Sequence, residues 1–214
     1  MRFAKHPILA CLALLTLGLA GCATTPQHNV GVVAPAPVVE RRPEPAVNPA
    51  VQRQFNEALR LMKLGQFNEA ERMLRGLTQA APELPGPYAN LGIVYFRLGK
   101  MPEAVEALKK AIAINPDQAA YYNQLGIVYR QRGQLDEARS AYARALSTDP
   151  NYSSACLNMG ILYDLYLRDA TKALSYYERY QGLQSSADAQ VSKWIIDLKQ
   201  RTHATETTAR KEHE

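Results

Sequence analysis

Between Val51 and Ser186 the sequence repeats itself every 34 residues, and this period restricts the fold more than any other feature of the chain. Leu91-Gly92, Leu125-Gly126 and Met159-Gly160 recur at that spacing, with Tyr95, Tyr129 and Tyr163 three residues after each glycine. Tyr88 and Tyr122 stand four residues before the first two glycines, and Cys156 takes that place in the third copy. Gly99 and Gly133 follow seven residues after their pairs. Ala104 and Ala138, Ala111 and Ala145, and Pro116 and Pro150 complete the pattern. A unit of this length cannot bury its apolar face alone, so copies must stack on one another to build a continuous core.

Each unit reads as a pair of helices. From Tyr88 to Leu98 the apolar residues Leu91, Ile93, Val94, Tyr95 and Leu98 lie at helical spacing. Gly99 ends that helix, where a left-handed residue is needed. A second helix from about Pro102 to Ile114 buries Ala104, Val105, Leu108, Ala111 and Ile112 and stops before Pro116. Small residues at Gly92 and Ala104 let the two helices approach closely. The pattern resembles the tetratricopeptide repeat, which implies an all-α solenoid of helix-turn-helix repeats.

Four repeats are predicted, at 51–84, 85–118, 119–152 and 153–186. The first departs from the pattern at Gln54 and Glu57, which occupy usually apolar sites. In the fourth, Leu167 stands where the turn glycine belongs and Ala173 comes one residue late, which predicts an insertion between its helices. Irregular end repeats suit units that must tolerate water on one face. A capping helix is predicted at 187–201, with Val191, Trp194, Ile195 and Leu198 on one stripe and Trp194 sealing the array. The polar, aperiodic stretch 202–214 reads as a disordered tail.

The N-terminal quarter has a different character. Arg2 and Lys5 precede a short apolar run from Ile8 to Ala20, too short for a stable membrane-spanning helix and typical of a secretory signal. Leu19-Ala20-Gly21-Cys22 then resembles a bacterial lipobox, which implies cleavage after residue 21, lipid attachment to Cys22 and a membrane anchor. In the sorting rule of such lipoproteins an Asp after the cysteine retains the protein in the inner membrane; Ala23 here implies the outer membrane, facing the periplasm. Six of the 13 prolines fall between Thr25 and Pro49. With no apolar periodicity, the stretch to residue 50 behind Cys22 is predicted to be a tether. Its reach as polyproline II is roughly 85 Å, at about 3.1 Å per residue.

Composition removes several kinds of chemistry. The four histidines, His6, His28, His203 and His213, all lie outside Val51–Arg201, so the array has no imidazole base or ligand. No phosphate loop and no metal-ligand spacing is present. The net charge of +5, part of it carried by Arg2 and Lys5 in the signal, is too small for a polyanion-binding surface. Glu103, Glu106, Asp136 and Glu137 lie beside Lys109, Lys110 and Arg139, the pattern of a solvated helix face. An enzyme, a cofactor, a small-molecule substrate and a nucleic-acid partner are not expected. Once Cys22 is lipidated and Cys11 removed, Cys156 is the remaining thiol, expected to be buried packing rather than a redox group.

What remains is a concave groove lined by first helices. In the repeat family, the residue before the Leu-Gly pair faces it, as do positions three, six and seven further on. The first set is Asn56, Asn90, Gln124 and Asn158, which resembles the asparagine ladder of some peptide-binding members; an amide can pair with any peptide backbone because it both donates and accepts. Ile93, Ile127 and Ile161 form an apolar strip beside it, and Arg97 and Arg130 add positive charge that Asp164 interrupts. Ala89 and Ile93 replace the first Lys and Asn of the family's two-carboxylate clamp, so binding of chaperone tails is not implied. Lipobox followed by repeat array resembles pilotin-type lipoproteins of type IV pilus and secretin assembly. The same plan is similar to accessories of TonB-like energised complexes and to adaptors of peptidoglycan enzymes. Each implies an envelope protein as partner, bound through an extended segment.

Overall fold

The computed structural model describes residues 48–212, with side chains to His203. The signal segment, Cys22 and the tether to residue 47 lie outside the described residues. The described part falls within one compact unit, Pro45–Glu214. It contains nine α-helices and no strand: α1 Pro49–Lys63, α2 Phe67–Ala80, α3 Pro85–Arg97, α4 Met101–Ile114, α5 Ala119–Gln131, α6 Leu135–Thr148, α7 Ser153–Ile161, α8 Ala170–Gly182 and α9 Ala189–Glu212. A π turn, Leu162–Tyr166, continues α7. Helices pair as α1/α2, α3/α4, α5/α6 and α7/α8, each pair packs on the next, and successive first helices touch. This is a tetratricopeptide-type solenoid.

Local chemistry sets the boundaries. Asn48 accepts the Ala50 N–H through its side chain at 2.9 Å, and Pro49 opens α1, two residues before the predicted repeat. Gly65, Gly99 and Gly133 adopt φ of +73°, +77° and +75°. At each, two bonds close the helix end. At Gly99 its own N–H reaches Phe96 O at 3.1 Å, and the Lys100 N–H reaches Tyr95 O at 2.9 Å.

The fourth repeat breaks this rhythm in a way that corrects the sequence reading. The extra residue is not in the interhelical turn but inside the first helix, absorbed by the π turn at 162–166. The left-handed position moves to Arg168, φ +56°, and the Asp169 N–H bonds to Tyr163 O at 2.9 Å, one residue further back than its counterparts. Asp169 then caps α8, accepting the Lys172 N–H at 2.9 Å and pairing with its ammonium at 2.9 Å. These bonds, chiefly that from the Lys172 backbone, hold its carboxyl below the usual range. A depressed folded value means the cap stabilises fully above the ordinary Asp range and fades as pH falls through the folded value. Replacing Arg168 with glycine is expected to stabilise the protein by about 1 kcal/mol, since a left-handed non-glycine residue costs roughly 1–2 kcal/mol; urea unfolding would show an unchanged or lower midpoint if the strain is absent.

The core runs through the stack. A Cβ on Gly92, Gly126 or Gly160 would lie 2.6, 2.5 and 2.5 Å from Leu108, Tyr142 and Tyr177, so the glycines exist to admit these second-helix side chains. Ala104, Ala138 and Ala173 are fully buried beside them.

The last helix differs from expectation in length and is informative in register. Instead of a helix to 201 and a disordered tail, α9 continues to Glu212, because extending an anchored helix needs no new nucleus. Val191, Trp194, Ile195 and Leu198 each stand 35 residues after Cys156, Met159, Gly160 and Tyr163. α9 thus takes the register of the first helix of a fifth repeat. Ile195 can stand where the other first helices have glycine because, among the described residues, no second helix packs on it. Val191 and Leu198 are buried, and the Trp194 ring lies 5.4 Å from that of Tyr177.

Candidate functional site

The amide row is placed by register on four successive first helices: Asn56 on α1, Asn90 on α3, Gln124 on α5 and Asn158 on α7. Asn56 is exposed and the other three are half-buried. Three are held by bonds from within. Gln52 donates to Asn56 Oδ1 at 3.0 Å, Asn90 Nδ2 donates to Gly86 O at 2.9 Å, and Asn158 Nδ2 donates to Asn123 Oδ1 at 3.0 Å. Asn90 and Asn158 therefore point their side-chain carbonyls in fixed directions, which lowers the ordering cost of binding.

Asn123 was not singled out by the sequence reading. It is only 2% exposed, the one buried polar residue among those described, and its bond to Asn158 ties α5 to α7. A signal did exist: it occupies the register of Ala89 and Leu157, where a polar residue is anomalous.

The isoleucines Ile93, Ile127 and Ile161 are half-buried, and the last two pack against the core formed around Tyr142 and Tyr177. Both arginines lie over aromatic rings. Arg97 is exposed but lies over the Phe67 ring at 5.9 Å. Arg130 sits over Tyr166 at 5.9 Å, and its Nη1 is buried without a hydrogen-bond partner, like the Tyr142 hydroxyl. Burial pushes the Tyr142 phenol up to about 12, against the opposing pull of the Arg130 charge. Asp164 bonds Arg201 of α9 at 2.9 Å.

Two surface clefts lie elsewhere, of about 380 and 440 Å³, the first including Tyr122, Tyr129 and Arg144, the second Tyr88, Tyr95 and Lys110. They are the same cleft one repeat apart, and neither includes a residue of the amide row. Among the described residues no His, Cys, Asp or Glu side chains gather as a metal site, and no helix is long and apolar enough to cross a membrane.

Cys156 is fully buried, and burial pushes its thiol up. A thiol reagent is expected to leave Cys156 of the native protein unlabelled and to react with it at once after denaturation. Rapid labelling of the folded chain would instead mark a reactive cysteine.

The fold is that of a tetratricopeptide-type solenoid. Residues 87–151 match the tetratricopeptide repeat family, which spans the two most regular repeats. Among solved structures the chain resembles MamA at 26% identity and TM-score 0.57, covering 62% of this chain and 77% of that one. It also resembles Pseudomonas aeruginosa PilF at 21% identity and TM-score 0.66, with 72% and 70% covered. YrrB, described as a tetratricopeptide protein with an unusual peptide-binding site, matches at 24% and TM-score 0.57, with 71% and 75% covered. No curated protein matches in sequence.

Proposed function

We propose that the protein is a lipid-anchored periplasmic scaffold of the outer membrane that binds an extended segment of another envelope protein in its concave groove. The observation that carries this reading is the amide row, repeated at one structural position on four helices and partly pre-oriented by its own hydrogen bonds. Proteins of this repeat class are interaction scaffolds, generally non-enzymatic, and YrrB is described by a peptide-binding site. The anchor rests on the lipobox ending at Cys22 and the destination on Ala23. Three acyl chains, as the lipobox implies, exceed the two signals that stable anchoring needs.

In-cell crosslinking tests the groove. The intact protein is expected to capture one envelope protein that a variant with Asn90→Ala, Gln124→Ala and Asn158→Ala loses while keeping its helical circular dichroism. Unchanged capture would place the contact outside the groove. The captured protein also chooses the pathway: a secretin, a TonB-type motor or a peptidoglycan enzyme. Globomycin should accumulate the unprocessed precursor, and normal maturation in its presence would remove the anchor.

A further inference from the structure

The isoleucine strip continues onto α9. Ile196 stands 35 residues after Ile161, in the register by which α9 packs as a first helix. Its side chain is 57% exposed. Leu165 and Tyr166, in the neighbouring π turn, are 60% and 44% exposed. Among the described residues, three of the four exposed large apolar side chains thus fall on the last two first-helix positions. On α9 the register of the amide row is taken by a lysine. Lys193 stands 35 residues after Asn158, and it is exposed. The Arg201–Asp164 pair, at 2.9 Å, joins α9 to the π turn alongside.

Spacing selects the conformation of an occupant. Packed helices lie about 8–10 Å apart. A β-strand turns successive side chains to opposite faces, so its every third residue would miss the strip. A polyproline II segment returns a side chain to the same face every three residues, about 9 Å on, and leaves its backbone N–H and C=O groups unpaired. Those free groups are what an amide row can bind. At the α9 end the row finishes on an ammonium, which only donates, so an acidic ligand residue belongs there.

Resting on the groove reading above, we propose that the groove binds a polyproline II segment of a partner with an apolar side chain at every third residue and an acidic residue at the end over α9. α9 is then part of the binding surface rather than only a cap.

The full-length chain would be titrated with two fluorescent peptides of identical composition. One is four Leu-Pro-Asn triplets followed by Asp-Asp; the other has its leucines at alternate positions. The triplet peptide is expected to bind about tenfold more tightly. Ile196→Ser and Lys193→Glu, both at exposed positions, should each weaken it about fivefold, and the triple amide variant should abolish binding. If the amide variant loses binding but Ile196→Ser and Lys193→Glu do not, the groove reading stands and its extension over α9 is overturned. Equal binding of the two peptides, or none of either, overturns the polyproline II register. Full binding by the amide variant overturns the groove reading and this inference with it.

Discussion

Replacing Gly126 with valine is expected to lower stability by about 3 kcal/mol, the upper part of the usual overpacking cost. A Cβ there would lie 2.5 and 2.6 Å from two carbons of the Tyr142 ring. Tyr142 is fully buried in the core cluster that also holds Ala138, Met159 and Tyr177, which leaves its ring little room to retreat. Exchanging glycine for a β-branched residue in a helix interior should return only about 0.3–0.5 kcal/mol of propensity, too little to offset the clash. In a chain of this size the loss corresponds to a melting shift of roughly 6–12 °C. The mechanism has a signature. Tyr142→Ala alone should cost about 3–5 kcal/mol through its cavity. Combined with Gly126→Val it should cost less than the two together, with a coupling of about 1–3 kcal/mol. Strict additivity would show that the glycine is not there to admit the ring.

The second large effect concerns α9. Truncation after Ser186 removes Val191 and Leu198, both buried, and the Trp194 ring against Tyr177. Each fully buried aliphatic side chain contributes about 1.5–3 kcal/mol. Ion pairs from Lys199 to Glu178 and from Arg201 to Asp164 go as well, although exposed pairs of this kind count for little. Arrays are held by nearest neighbours, so the damage should stay local. Hydrogen exchange is expected to show α7 and α8 losing protection while α3 to α5 keep theirs. Loss of protection through the whole array would mean that the stack unfolds as one unit.

Much of the fold could be read from the period alone. Gly92, Gly126 and Gly160 announce where second helices press in, and Gly65, Gly99 and Gly133 announce the turns. What could not be read was how one surplus residue is stored. Ala173 arriving late shows that a residue has been added, but a longer turn and a π turn give the same spacing. The tight fit of Tyr177 against Gly160 pins the early part of the first helix, and Asp169 caps the start of α8; the slack is taken up between them. The register of α9 escaped notice for a related reason. Ile195 and Trp194 do not look like Leu-Gly until the 35-residue offset is known. On the first helices the register of the amides could be read from the period, but their hydrogen bonds could not. A side chain's partner depends on rotamers that spacing does not specify, as Asn123 and the inward turn of Arg130 show.

The single surplus residue at 162–166 acts like a dislocation in a crystal. Up to Ile161 the array has one lattice constant, and every residue can be mapped on its neighbour by adding 34; beyond Tyr166 the same mapping requires 35 from the repeat before. The helix pairs α3/α4 and α5/α6 are therefore interchangeable cassettes, so the length of the array could grow or shrink by whole copies without disturbing phase. The segment from α7 to α9 is not such a cassette. It is phased to the repeat it follows, and whatever is copied upstream must hand over to it at the same point.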